Sequence, residues 1–106
     1  MLDARLTVIG KYVGFDREDI TVDNTEGGVS LTLTKLETTP RPKRVFITVE
    51  SAQCRYCYDS TVPTSTLGHI LNPNDNLFIE GYHNMKNFRA IRTGTTSGKI
   101  CVTYER

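Results

Sequence analysis

Cys54 and Cys57 carry the spacing Cys-x-x-Cys, which serves thiol-disulfide exchange or supplies half of a four-thiolate zinc site. Redox pairs of that spacing sit at a helix N-terminus, where the dipole lowers the thiol pKa. Here the surroundings read Ser51-Ala52-Gln53-Cys54-Arg55-Tyr56-Cys57-Tyr58, a strand-like run in which positions three apart point to opposite faces. One metal or disulfide cannot readily join them, and Cys101 makes an odd total of three. We read all three as structural thiols, buried or half-buried. The two histidines, His69 and His83, lie at metal-ligand spacing neither to each other nor to a cysteine, and His69 follows a glycine in an expected turn. Both read as hydrogen-bonding surface residues.

Other reactive patterns are missing from the sequence. It contains no Gly-x-Ser-x-Gly elbow, no phosphate-cradling glycine loop and no dinucleotide fingerprint. Residues 15–28 hold five acids, Asp16, Glu18, Asp19, Asp23 and Glu26, against the single base Arg17. Their spacing does not meet that of a calcium loop, so a solvated acidic face is the simpler reading. Residues 35–44 run the other way, with Lys35, Arg41, Lys43 and Arg44 against Glu37. Segregated charge of both signs steers protein contacts and sets their register. Arg41, Lys43, Arg44, Asp16, Glu18 and Asp19 are therefore the expected partner-contact residues. Arg55, Arg89 and Arg92 could extend the basic set if the fold brought them together. No catalytic residue, metal ligand or cofactor is expected, and the chain does not read as an enzyme.

The elements that must position these residues are strands. Fifteen Thr, eight Val and seven Ile, against three Ala, give a β-branched inventory whose stiff χ1 torsions suit pleated sheet. Period-2 alternation marks Arg5–Val13, Val29–Leu36, Val45–Glu50 and Lys99–Glu105 as strands, with shorter ones at Cys54–Tyr58, Leu77–Glu80 and Phe88–Arg92. Residues 15–28 read as a loop or short edge segment closed by the Gly27-Gly28 pair, and 37–44, with Pro40 and Pro42, as an exposed basic loop. Asp59–Thr64 and Asn72-Pro73-Asn74-Asp75-Asn76 are turns. Seven or eight short strands at this spacing predict an all-β fold, an antiparallel β-sandwich or jelly-roll-like barrel.

A length of 106 residues suits one domain, with residues 1–28 forming an arm or an edge segment. Thirteen Lys and Arg against twelve Asp and Glu leave a formal charge of +1, which argues against a strongly basic nucleic-acid binder. The longest apolar runs, Val45–Ile47 and Leu77–Ile79, fall far short of the roughly 20 residues of a membrane span. The first ten residues lack an apolar signal core, and none of the six Asn opens a glycosylation sequon, so synthesis in a cytoplasm is expected.

A further pattern runs through the second half. Val45-Phe46-Ile47-Thr48-Val49-Glu50, Ala52, Arg55-Tyr56, Asp59-Ser60-Thr61, Pro63-Thr64 and Gly68-His69 are followed by Asn87-Phe88-Arg89-Ala90-Ile91-Arg92 and Ile100-Cys101-Val102-Thr103-Tyr104. In order and spacing, over about residues 28 to 105, this resembles a family of small tailed-bacteriophage virion proteins. The resemblance implies a β-sandwich subunit of the virion, foremost a capsid decoration (cement) protein that binds the major capsid protein and its own copies as a dimer or trimer. A neck or tail component is the alternative within that family. The family's turn usually reads Asp-Gly-Thr, and Ser60 stands where the glycine would be. A similar Tyr-x-x-Asp-Gly-x-x-Pro-Thr turn occurs in β-sandwich modules appended to carbohydrate enzymes, which keeps a carbohydrate-binding or adhesive module as a second expectation.

Overall fold

Threonine and valine segments do become strands, and the computed structural model, which describes residues 11–106, places them in two antiparallel sheets. In chain order the elements are β1 (Gly14–Val22), α1 (Leu33–Leu36), β2 (Arg44–Glu50), β3 (Cys54–Cys57), β4 (His69–Leu71), β5 (Asn76–Glu80), α2 (Tyr82–Asn87), β6 (Arg89–Arg92) and β7 (Gly98–Glu105). The larger sheet has the order β1-β7-β2-β5 and the smaller one β4-β3-β6. This is the expected all-β sandwich.

Alternation explains the core. In β7, Ile100, Val102 and Tyr104 are fully buried while Cys101, Thr103 and Glu105 face outward, and β2 buries Val45, Ile47 and Val49 beside them. The smaller sheet contributes Cys54, Leu71 and Ala90, and Phe88 fills the space between. Burying such side chains supplies most of the drive to fold, at about 25 cal/mol per Å² of apolar surface. Val29 exchanges backbone bonds with Ala90, at 2.7 and 2.9 Å, and so extends the smaller sheet. That approach requires glycine at the preceding position: Gly28 has φ +78, and a Cβ there would lie 3.1 Å from the Ala90 carbonyl oxygen.

Four expectations are refined or corrected. Residues 15–28 are not a loop throughout: the edge segment expected there is Gly14–Val22, a strand of nine residues rather than a short one, paired along β7. Its inward positions Glu18, Ile20 and Val22 share the apolar face of β7, which an acid-rich composition conceals. The strand expected over Val29–Leu36 is instead one bridge followed by a helical turn. Lys35 and Leu36 donate to the Thr32 carbonyl, Leu31 and Leu36 are buried, and Leu33 is exposed. Tertiary packing at two leucines overrides a polar-apolar alternation that no neighbouring strand supports. Residues 81–87, to which the sequence pattern assigns no element, form α2 around the buried Met85. His69 stands in β4 opposite Tyr56 and not in a turn. The strand expected over Arg5–Val13 falls mainly outside the described residues, although Val13 and Arg106 exchange two 2.9 Å backbone bonds beyond the end of β7.

Candidate functional site

The charged residues singled out by the sequence are drawn into contacts within the chain. Asp16 accepts from Lys35 at 2.8 Å and from the Arg17 backbone N–H at 2.8 Å, and these bonds, that from Lys35 foremost, hold its carboxyl below the usual carboxylate range. Glu18 points between the sheets and accepts from the Tyr104 hydroxyl and the Thr32 hydroxyl, with Thr32 at 2.6 Å. Asp19 stays on the outer face, 2.6 Å from Arg17. Arg41 pairs with Glu37 at 3.0 Å and lies 4.3 Å from the centre of the Tyr82 ring, tying the proline-containing loop to α2. Arg44 bonds Glu105 through Nε and is sandwiched between Tyr12 and Phe78, 4.2 and 4.3 Å from their ring centres. Lys43 remains exposed. Asp16 of the acidic segment and Lys35 of the basic one are thus neighbours in space, while Asp19 and Arg41 pair within their own segments.

Arg55, Arg89 and Arg92 stand on the smaller sheet, apart from Arg44 on the larger one. Arg55 donates to the carbonyls of Ser65 and Gly68, Arg89 to those of Lys86 and Phe88, and Arg92 to the Ser97 hydroxyl. They pin loops locally. The cysteines separate as the strand geometry requires. Cys54 lies between the sheets, and burial pushes its thiol up to about 11, while Cys57 packs on the opposite side of β3 beside Gly68. Among the described residues no group of three or more His, Cys, Asp or Glu is placed to hold a metal ion.

What sequence reasoning missed is the border formed by β5 and the end of β3. Tyr58 stacks on Tyr56 and on His69 at centroid distances of 6.3 and 6.2 Å, and Phe78 packs against Phe46 at 4.8 Å. A cleft of about 350 Å³ lies between Tyr56 and Tyr58 on one wall and Leu77–Glu80 with Asn84 on the other. A second, of about 480 Å³, opens on the far side of Tyr58, against Asp59, Leu67 and His69. Tyr58 is therefore a ridge between two clefts, with aromatic faces and a strand edge on offer for recognition. The signal was present in Asn76-Leu77-Phe78-Ile79-Glu80, a short strand that is apolar on both faces between a turn and a helix.

Comparison with protein-family models, with characterised proteins and with solved structures finds no match to this chain.

Proposed function

We propose that the chain is a structural subunit of a tailed-bacteriophage virion, a decoration protein that stabilises the assembled head through contacts with the major capsid protein and with its own copies. The observation that supports this reading best is the exposed apolar border: Leu67 at 50%, Tyr58 at 44% and Phe78 at 40% exposure adjoin the same pair of clefts. Clustered apolar side chains on a polar surface fit a protein partner. The slab-like shape, 38 × 36 × 20 Å, presents broad faces to a lattice. A subunit that binds the assembled shell and not its dissociated parts raises the shell's resistance to heat and internal pressure by mass action. No cofactor enters this role.

Fractionation of phage particles with copy-number quantification tests it. Hundreds of copies per virion support decoration, six or twelve move the protein to the neck or tail, and absence from particles overturns the virion reading. A second reading, a carbohydrate-binding module, is favoured by the Tyr58 ring with Asp59 and His69 on the same cleft. Saturable binding on a sugar array, lost in Tyr58→Ala, would decide for it.

A further inference from the structure

The edge of β5 left unpaired among the described residues is complementary to itself, and we infer that a second copy of this chain pairs there, antiparallel, across a two-fold axis at Phe78. Gly81 donates to the Lys43 carbonyl at 3.0 Å, and β2 and β5 pair Val45 with Ile79 and Ile47 with Leu77. Hydrogen-bonded and non-hydrogen-bonded pairs alternate in an antiparallel ladder, so Leu77 and Ile79 direct their amides and carbonyls toward β2. Asn76, Phe78 and Glu80 direct theirs away, toward an edge that no described strand covers. The edge has no lysine, no proline and no bulge, the usual protections against such pairing.

Register follows from the residues. Only with Phe78 opposite Phe78 do all three outward-pointing residues find an outward-pointing counterpart, since Asn76 then faces Glu80 of the second copy and Glu80 its Asn76. Side chains agree with backbone. Asn76, Phe78 and Glu80 share the outer face with Thr48, Phe46 and Arg44. The pairing therefore joins two Phe78 rings at the axis, each stacked on its own Arg44, and flanks them with an amide donor opposite a carboxylate acceptor on either side. Shifting by one pair in either direction leaves Phe78 opposite a polar residue. The result is an eight-stranded continuous sheet with closed two-fold symmetry.

This deepens the proposed contact between copies, yet it is tested on isolated protein and so fails or stands apart from association with particles. Sedimentation velocity of the full chain over a concentration series should show a monomer-dimer equilibrium. Asn76→Lys, which sets an ammonium opposite the second copy's Glu80, should tighten it several-fold. Asn76→Glu, which sets carboxylate against carboxylate, should weaken it at least ten-fold, with circular dichroism unchanged in both. Hydrogen exchange on the unaltered chain gives an independent readout: the Phe78 amide should become protected as concentration rises, and the Ile79 amide should not change. A monomer at several hundred micromolar, a dimer indifferent to both substitutions, or a Phe78 amide whose exchange ignores concentration would each overturn the inference. A dimer that does not join particles would instead defeat the virion reading alone.

Discussion

Glu18 on β1 accepts a hydrogen bond from the hydroxyl of Tyr104 on β7, although the Tyr104 residue is fully buried and Glu18 belongs to an apparently solvent-facing cluster of five acids. The two are diagonal neighbours, since Glu18 pairs with Val102 and Tyr104 with Asp16. The same carboxylate accepts from the hydroxyl and N–H of Thr32, at 2.6 and 3.2 Å, at the residue that precedes α1. Burial, and then the bond to Glu18, raise the tyrosine's pKa well above the usual phenol range. One acid thus fixes both an edge strand and the start of a helical turn.

Removing that acid leaves a buried hydroxyl without its acceptor. Glu18→Ala should cost about 2 to 3 kcal/mol, within the range for hydrogen bonds to a charged group plus the desolvation of an orphaned donor. Tyr104→Phe should cost less, about 1 to 2 kcal/mol, because Thr32 still satisfies the carboxylate. Urea unfolding of the two single variants and the double variant checks this. A coupling energy near zero would mean that the pair does not act as a unit.

The turn at Asp59 supplies a second prediction. Ser60 has φ +76, the left-handed geometry that a glycine would adopt without penalty, and Thr61 donates its backbone N–H to Asp59 Oδ1 at 3.1 Å to close the turn. The serine bears the strain, of roughly 1 to 2 kcal/mol for an L-residue, part of which the greater chain entropy of an unfolded glycine offsets. Ser60→Gly should raise stability by up to about 1 kcal/mol. Asn74, at φ +75, is of a type that tolerates this region, so Asn74→Gly should gain less. Thermal melts of both variants give the order, and the reverse order would contradict the strain argument.

The strands were legible where alternation coincided with a buried face. Val45, Ile47 and Val49, and Ile100, Val102 and Tyr104, read inward in the sequence and lie inward in the fold. Alternation misled at Leu31 and Leu33, where period 2 over three residues suits a bridge and a helical turn equally well, and only the pocket that receives Leu36 decides. The acids misled for a related reason. Glu18 looks solvated in a list of charges, and its partner Tyr104 is 86 residues away. The cysteines were legible from parity alone, since Cys54 and Cys57 do fall on opposite faces of β3. The exposed border was legible only in part: Leu77-Phe78-Ile79 is apolar on both faces, but exposure of Tyr58 and Phe78 depends on which strand ends a sheet, and strand order is a property of tertiary pairing.

Cysteine reactivity separates the three thiols. Cys101 is half-buried on the outer face, with Arg17 Nη2 at 3.2 Å from its sulfur, whereas Cys57 is 8% and Cys54 1% exposed. A thiol reacts as the thiolate, so burial slows Cys54 twice, through access and through its raised pKa of about 11. In native buffer a disulfide reagent should label Cys101 first, Cys57 more slowly and Cys54 only at the rate of opening of the sandwich. In denaturant all three should react at once. Labelling of Cys54 as rapid as that of Cys101 would place β3 outside the core.

Stability should fall at both ends of the pH range for opposite reasons. Asp16, Asp23 and Asp59 are held below their ordinary value of 3.8, by bonds chiefly from Lys35, Thr25 and Thr61 respectively. A carboxyl with a depressed folded-state pKa contributes stability above that ordinary value and loses it as pH falls through the folded one, so the acid flank lies below about pH 4. Cys54 behaves inversely. Its thiol rises from 9.0 to about 11 in the fold, so the unfolded chain releases the proton first and stability declines between those two values. Chemical denaturation across pH should therefore show a plateau from about 4 to 9 with a shoulder on each side, and Cys54→Ala should reduce the alkaline loss only between about 9 and 11, because Tyr104, raised well above the phenol range, continues it at higher pH. Salt distinguishes the acid terms: the partly exposed Lys35–Asp16 pair is screened at about 1 M NaCl, while the short-range bonds of Asp23 and Asp59 persist. Asp16→Asn should accordingly abolish most of the salt dependence of the acid shoulder, and Asp59→Asn should leave that dependence intact.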